Sequence, residues 1–245
     1  MRPATLLKSG VALALLLGPL SVLTAPTATA ADVPTYQTKI VWQMSKHLAR
    51  YQQTFAVKAQ VGFTPDDGAH WYLLNTGPDD GTVTLQRRLA GTRTWRNLGT
   101  ADDPASVDFT GVVAQANATY RLRYSGGSYP DATAPSYTYA PSTSSTGSLR
   151  VMRRLGDYGK KAHGHLYVKG NVNPGWAHRT VTVQRRTCGS CKWKTYSRVQ
   201  TSGTGAWSVQ VKAPRTGSWY YRAYVPATTQ YIKSWTTHVY RVYRF

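Results

Sequence analysis

The sequence contains no glutamate, and all ten of its acidic residues are aspartates. Glutamate is a favoured helix former, whereas the abundant threonine, tyrosine, valine and tryptophan are enriched in strands. After the first 30 residues, no segment shows a helical period of apolar side chains. The sequence therefore predicts an all-β fold.

Residues suited to catalysis are also scarce, because catalysis needs a base, a nucleophile or an activated ion held in register. No serine lies in a nucleophile-elbow pattern, and no glycine-rich phosphate loop precedes a helix. The aspartates at 66–67, 79–80 and 102–103 each precede glycine or proline, where aspartate is an ordinary turn former. We expect no enzyme and no cofactor. Calcium held jointly by the first two turns is an alternative, although the spacing of known calcium loops is absent.

Residues 1–30 have the composition of a secretory signal peptide. Arg2 and Lys8 give a basic start, residues 11–23 form an apolar run, and Ala-Thr-Ala at 28–30 is a small-residue cleavage site. The apolar run is shorter than the ~20 residues of a membrane span, and no comparable run follows, so no membrane span is expected. We expect a secreted, extracellular protein, either free or retained at the cell wall by non-covalent contacts.

Two stretches of the chain resemble each other. At a constant shift of 98, residues 82–98 match residues 180–196 at eight of seventeen positions without a gap. Upstream, 55–61 match 166–172 at a shift of 111, so the first copy carries 13 extra residues within 62–81. Downstream, the alignment continues if the second copy is given one extra residue, and it then pairs Tyr120 with Trp219 and Arg123 with Arg222. The identical pairs are Thr82/Thr180, Val83/Val181, Thr84/Thr182, Gln86/Gln184, Arg87/Arg185, Arg88/Arg186, Gly91/Gly189 and Trp95/Trp193.

Each copy consists of short alternating runs separated by turn residues every 8 to 15 positions, which is typical of an antiparallel sandwich. The polar segment at 141–148 predicts a short linker. We therefore predict a first β-sandwich at 31–140 and a second, strongly basic one at 149–245. In the second copy, strands are predicted at 149–155, 164–172, 179–187, 192–201, 205–213, 217–225 and 235–244.

The succession of Val-Thr-Val-Gln-Arg-Arg at 181–186, Trp193, Gly-Ala-Trp at 205–207 and Gly-Ser-Trp-Tyr-Tyr-Arg-Ala at 217–223 resembles the immunoglobulin-like repeats common in secreted actinobacterial proteins. The resemblance covers nearly the whole chain after the signal peptide. It implies two tandem immunoglobulin-like, or fibronectin-III-like, antiparallel β-sandwiches. It also implies an extracellular accessory or adhesive role, with no catalytic residues to transfer.

The histidines offer a weak metal pattern. His163 and His165 lie two residues apart at the start of a predicted strand, and His178 precedes the next. Three imidazoles would suit zinc. A fourth ligand is not evident in this exposed, lysine- and glycine-rich stretch, so no metal site is predicted.

Cys188 and Cys191 are the only cysteines. In a cytosolic βαβ unit their spacing would indicate redox chemistry, but here it falls at the tip of a predicted hairpin in an exported chain. We predict a disulfide between them. Closing so short a loop should stabilise the fold by at most roughly 2 kcal/mol.

The tryptophans divide into two groups. Trp95 and Trp193 recur at matching positions and Trp207 lies in an alternating strand, so these three are predicted core residues. Aromatic rings on loops, by contrast, can stack on sugar rings or cover the edge of a core. Candidates for a carbohydrate site are Trp71, Tyr72 and Trp176, and further loop aromatics are Tyr231 and Trp235.

The distribution of charge is the strongest functional signal. Residues 31–148 contain 10 basic and 9 acidic residues, whereas residues 149–245 contain 18 basic residues and one acidic residue, Asp157, a net charge of +17. So large a charge attracts polyanions. A purely solubilising role is the alternative. The candidate polyanion-binding residues are Arg150, Arg153, Arg154, Lys160, Lys161, Arg186, Lys192, Lys194 and Arg198.

The sequence thus predicts a monomeric binding or structural protein whose second domain adheres to an anionic cell-wall polymer or another extracellular polyanion. Recognition of a specific nucleic acid sequence is not expected, since no recognition helix is predicted and phosphate contacts alone are sequence-blind. The alternative function is a carbohydrate-binding module that uses exposed aromatic rings.

Overall fold

The computed structural model describes residues 33–74, 81–129 and 136–243. These residues form strands and no α-helix, which confirms the predicted all-β class. Accordingly, the described chain has no helix long and apolar enough to cross a membrane. The predicted signal peptide lies outside the described residues, as do Asp79 and Asp80 of the alternative calcium site.

Twelve strands lie between residues 35 and 152. They are β1 Thr35–Met44, β2 Leu48–Arg50, β3 Thr54–Thr64, β4 Tyr72–Leu73, β5 Val83–Leu89, β6 Arg96–Ala101, β7 Val107–Val113, β8 Ala118–Tyr124, β9 Gly127–Tyr129, β10 Tyr137–Tyr139, β11 Ser142–Thr143 and β12 Gly147–Met152. One sheet has the order β4-β3-β1-β10-β9, with β7 also paired to β3. The other has the order β2-β12-β8-β5-β6, with β11 also paired to β8.

Eight strands follow between residues 154 and 243. They are β13 Arg154–Ala162, β14 His165–Asn173, β15 Thr180–Arg186, β16 Lys194–Gln200, β17 Ala206–Val211, β18 Ser218–Val225, β19 Ser234–Trp235 and β20 Tyr240–Tyr243. A three-stranded sheet has the order β13-β14-β17, and a five-stranded sheet has the order β16-β15-β18-β19 with β20 paired to β18. The antiparallel order β1-β3-β7 and β6-β5-β8 of the first half therefore recurs in the second as β13-β14-β17 and β16-β15-β18.

Two separate clusters of buried side chains stabilise these sheets. Alternate side chains of a strand point to opposite faces, so Val57 and Val61 of β3 and Leu122 of β8 lie in the first cluster. Val183 of β15 and Tyr221 of β18 lie in the second. Each fully buried side chain of this size contributes roughly 1.5–3 kcal/mol. The arrangement is consistent with a β-sandwich in each half.

The segment 141–148 is not the linker that its polar sequence predicted. Ser142–Thr143 and Gly147–Met152 both pair with β8, so they belong to a sheet of the first half. The predicted strand 149–155 is accordingly divided between β12 and β13. Leu149 and Val151 are buried in the first cluster, whereas Leu155 is buried in the second. Side-chain burial therefore moves the junction to about residue 153.

A loop of the second half docks on the first half. Tyr231 is buried in the first cluster, where its hydroxyl donates to the carbonyl of Gln115 at 2.6 Å. Asn117 donates its backbone N–H to Gln230 O and its side-chain amide to Thr229 O. These bonds join backbone segments more than 110 residues apart, so the two halves are in direct, ordered contact.

Candidate functional site

The second half has almost no negative charge to neutralise its cations. The side chain of its one acid, Asp157, is 1 % exposed and accepts hydrogen bonds from Thr237 N–H, the Tyr240 hydroxyl and His238 Nδ1. None of the described Lys and Arg residues of 149–243 has a described carboxylate oxygen within 4.0 Å. The positive charge is therefore open to external anions.

Eight of the nine predicted polyanion-binding residues are at least partly accessible. Arg186 is half-buried and seven others are exposed, but they lie on more than one surface, including the β13–β14 hairpin and the β15–β16 hairpin. Arg150 lies on β12, in a sheet of the first half. The seven exposed residues are Arg150, Arg154, Lys160, Lys161, Lys192, Lys194 and Arg198.

Arg153 is the exception, because it is only 4 % exposed. Its guanidinium lies 4.6 Å from the ring centroid of Trp176 and 4.2 Å from that of Tyr231, and its Nε donates to Pro174 O. Burial lowers its pKa from the ordinary arginine value. The prediction that Arg153 binds a polyanion is therefore wrong; it is a structural cation between two rings at the junction.

The outer face of the β16-β15-β18 sheet gathers cations and rings that the sequence separates. Because Tyr221 and Ala223 of β18 face the core, Tyr220, Arg222 and Tyr224 face outward. The cross-strand register places Gln184 opposite Arg222 and Arg186 opposite Tyr220. Trp193 and Trp235 flank this face from either side.

These side chains form a continuous alternating row, which we call the cation–aromatic ladder. Its members, in spatial order, are Tyr220, Arg186, Trp193, Arg222, Trp235, Lys233 and Tyr224. The distances between each cationic centre and the neighbouring ring centroids along the row are 5.0, 4.7, 4.2, 4.1, 4.5 and 4.2 Å. All six distances are within the roughly 6 Å over which a cation–π interaction acts.

Arg222 is the centre of the ladder. Its guanidinium lies over both tryptophan rings, and its Nε donates to Gln184 Oε1 at 3.0 Å. Burial, and to a smaller degree the charge of Arg186, lower the pKa of Arg222. The side chain is therefore a partly desolvated cation whose orientation is fixed by three neighbours.

The first half carries a shorter version of the same arrangement. Arg88 and Arg121 lie 4.9 and 4.2 Å from the Trp95 ring centroid, and Arg121 Nε donates to Gln86 Oε1 at 2.8 Å. Arg123 occupies the outward position that Tyr224 takes in the second half. The first-half row therefore ends after one tryptophan.

The predicted core positions of Trp95 and Trp193 are wrong, whereas that of Trp207 is confirmed. Trp207 is 4 % exposed within the second cluster. Trp95 and Trp193 are half-buried on the outer faces, in like environments beneath pairs of arginines. Their recurrence in the sequence reflects this shared cation–π role instead of burial in a core.

The predicted downstream alignment also needs correction. Arg87 lies opposite Tyr120, and its sequence match Arg185 lies opposite Tyr221. Tyr120 therefore corresponds to Tyr221, at a shift of 101, and not to Trp219. Because side chains alternate along a strand, shifting the alignment by two residues still pairs inward with inward and outward with outward positions. Only the cross-strand register reveals such a shift.

The predicted carbohydrate residues do not form one surface. Trp71 and Tyr72 are 38 and 51 % exposed, but Trp176 is 4 % exposed and belongs to the second cluster. Trp71 lies beside Gly62, and Lys39 Nζ lies 3.8 Å from its ring centroid. The prediction for Trp176 is therefore wrong, and the ring of Trp71 is already in contact with a cation.

The predicted disulfide between Cys188 and Cys191 is confirmed. It closes the tip of the β15–β16 hairpin, immediately between Arg186 and Trp193 of the ladder. The bridge restricts the backbone that carries these two side chains.

No group of three metal-ligating side chains occurs among the described residues. His165 Nδ1 is instead 2.9 Å from Gln210 Nε2. In the loop after β3, His70 Nδ1 lies 2.6 Å from Asp66 Oδ2, and this hydrogen bond is the main reason that the pKa of Asp66 is lowered to about 2.

Comparison with known proteins gives no assignment: no protein-family model matches the chain, and no curated protein matches it. The geometry of its own residues is the basis for a functional proposal.

Proposed function

We propose that the chain is a secreted, non-catalytic binding protein of two immunoglobulin-like β-sandwiches, whose second half adheres to an anionic polymer of the cell envelope. The observation that carries this proposal is the uncompensated charge of the second half. Sixteen basic residues and one acid give residues 154–245 a net charge of +15, and the side chain of that acid is buried. The electrostatic potential near such a surface reaches several kT and attracts polyanions to it.

A purely solubilising charge is the competing explanation. The cations lie on both sheets of the second half, as a solubilising charge would also require. The asymmetry favours binding, because residues 31–153 of the same chain have a net charge of only +3. A charge needed for solubility alone has no reason to be confined to one half.

The test is binding of the exported chain to immobilised poly(glycerol phosphate) between 25 mM and 1 M NaCl. The Debye length falls from about 10 Å at 0.1 M to about 3 Å at 1 M, so we expect affinity to fall by orders of magnitude. Affinity that is equal at the two extremes would show that charge is not the cause. Absence of binding at the lowest salt concentration would favour the solubilising explanation.

Matched charge reversals locate the binding half. Changing the exposed Arg154, Lys160 and Lys161 to Glu should weaken binding at least tenfold. The control changes three exposed first-half residues, Arg93, Arg96 and Arg123, to Glu, which alters the net charge by the same amount. If both triple variants lose affinity equally, binding does not belong to the second half.

Carbohydrate binding at Trp71 and Tyr72 is a second candidate, supported by the exposure of both rings. The two residues are adjacent in the chain, and Tyr72 lies 5.8 Å from Phe63 by ring centroids. Trp71→Ala should then abolish retention on neutral cell-wall polysaccharide while leaving the salt response unchanged. Retention equal to that of the unaltered chain would exclude this site.

A further inference from the structure

The charged groups of the cation–aromatic ladder are held in place by neighbouring side chains, unlike exposed cations such as Lys160 and Lys194. Arg222 is in contact with two rings and Gln184, and Arg186 is in contact with Trp193 and Tyr220. An exposed lysine or arginine loses side-chain entropy when it is immobilised on a ligand. The stacked arginines have already lost much of that freedom.

The ladder also has unused hydrogen-bond donors. Arg222 donates only its Nε to a described residue, and no described residue accepts a hydrogen bond from Arg186, whose Nε is buried. Neither has a described carboxylate within 4.0 Å. A guanidinium presents paired N–H groups that match the oxygens of phosphate or carboxylate, so both arginines can donate hydrogen bonds to an external oxyanion.

The cations are spaced along a line. Gln184 is opposite Arg222 and Arg186 is opposite Tyr220, so Arg186 and Arg222 are diagonal neighbours on one face, about 7–8 Å apart at the backbone. Lys233 continues the row past Trp235, and the exposed Arg198 lies on the same face opposite Thr182. This spacing suits a chain with regularly repeated anions better than a single small anion.

The rings of the ladder are not free to receive flat ligands. Trp193 already contacts Arg186 and Arg222, and Trp235 already contacts Arg222 and Lys233. A nucleic acid base or a sugar ring that stacked on these tryptophans would compete with cations of the protein itself. The ligand is therefore selected by its anions.

We propose that the cation–aromatic ladder is the polyanion-binding site of the second half, and that its ligand is a linear polymer with an oxyanion on each repeat. This inference rests on the proposed function, but it makes a narrower claim. Bulk charge alone would let any cation substitute for another. The ladder instead requires planar guanidinium groups held between rings.

The test uses variants of the full exported chain that leave its net charge unchanged. Arg222→Lys keeps the charge but loses the planar contact with the rings and the Nε bond, and Trp235→Leu removes one supporting ring. The controls are Arg121→Lys and Trp95→Leu in the shorter first-half row. We expect each ladder variant to bind poly(glycerol phosphate) at least tenfold more weakly, and each control to bind within twofold of the unaltered chain.

The outcomes separate the two proposals. If both ladder variants bind as the unaltered chain does, while molar salt still abolishes binding, the ladder is not the site and the bulk charge is. If the unaltered chain fails to bind even at 25 mM NaCl, both proposals fail. Far-UV and near-UV circular dichroism of each variant will show whether a loss of binding reflects a loss of fold.

A titration of the unaltered protein supplies a test that requires no variant. The ¹H–¹⁵N side-chain resonances of Arg222 and the indole resonance of Trp235 should shift on addition of tripolyphosphate or tri-galacturonate. A larger shift with one probe identifies phosphate or carboxylate as the preferred anion. Shifts confined to exposed lysines, with both ladder resonances unmoved, would overturn the proposal.

Discussion

Tyr231 offers the sharpest test of how the two halves are joined. Its ring is 6 % exposed, lies in the first cluster and makes an edge contact with Tyr51 at 6.4 Å, although the residue belongs to the second half of the chain. Replacing a buried aromatic ring by Ala costs about 3–5 kcal/mol. In Tyr231→Ala, Arg153 would also lose one of its two ring contacts. We expect a loss of about 4 kcal/mol on this basis.

The hydroxyl contributes separately. Tyr231→Phe removes one hydrogen bond to Gln115 O, which is worth about 1 kcal/mol. At this chain length 1 kcal/mol lowers the melting temperature by about 2–4 °C. The matched control is Tyr221→Phe, which removes a buried hydroxyl bonded to Lys212 O at 2.8 Å within the second half alone.

Differential scanning calorimetry distinguishes the variants by cooperativity as well as by melting temperature. We expect the unaltered chain and Tyr221→Phe to unfold in one transition, and Tyr231→Ala to unfold in two, because the halves retain separate cores. A single transition of Tyr231→Ala at the temperature of the unaltered chain would show that Tyr231 does not couple the two halves.

Other predictions concern the polar sites. Asp157→Ala should cost about 3 kcal/mol in urea unfolding, since three donors lose a buried acceptor; an unchanged midpoint would contradict this. Burial, and to a smaller degree the hydrogen bond to Asp157, raises the pKa of Tyr240. The protonated hydroxyl should therefore stabilise the folded state fully below pH ~10, and this stabilisation should disappear as the pH rises further. His70→Ala should return the pKa of Asp66 from about 2 toward its ordinary value, which an NMR titration would measure. Because the pKa of Asp66 is lowered in the folded state, its hydrogen bond with His70 stabilises the fold above pH ~4, and this stabilisation is lost as the pH falls toward 2. Reducing the disulfide at Cys188 should cost at most roughly 2 kcal/mol, and a larger loss would show that the hairpin tip supports more than its own loop.

The fold class and most strands of the second half were predictable from alternation and turn residues. The predicted 179–187 and 217–225, for example, contain the observed Thr180–Arg186 and Ser218–Val225. The local pairing of Cys188 with Cys191 was predictable because three residues of separation leave little choice of geometry. These features depend on neighbouring positions in the chain, which a sequence records directly.

The candidate site was only partly predictable. Arg186 was identified from its charge, but Arg222, Lys233 and Trp235 were not assigned to the polyanion site. Trp193 was placed in the core because it recurs as Trp95. A signal was available, since Gln, Arg and Trp recur together, yet their recurrence cannot distinguish a shared core role from a shared surface role.

The amino-acid sequence alone is sufficient to predict the β-strand content, the excess of positive charge in residues 149–245, and the disulfide at the hairpin tip. Composition, alternation and local spacing are sufficient for these properties. Tertiary packing determines which cations are accessible to a ligand. It buries Arg153 between Trp176 and Tyr231, and it places Arg222 between Trp193 and Trp235 on an outer face. Those outcomes depend on cross-strand register and on contacts between residues far apart in the chain, and no local pattern encodes either.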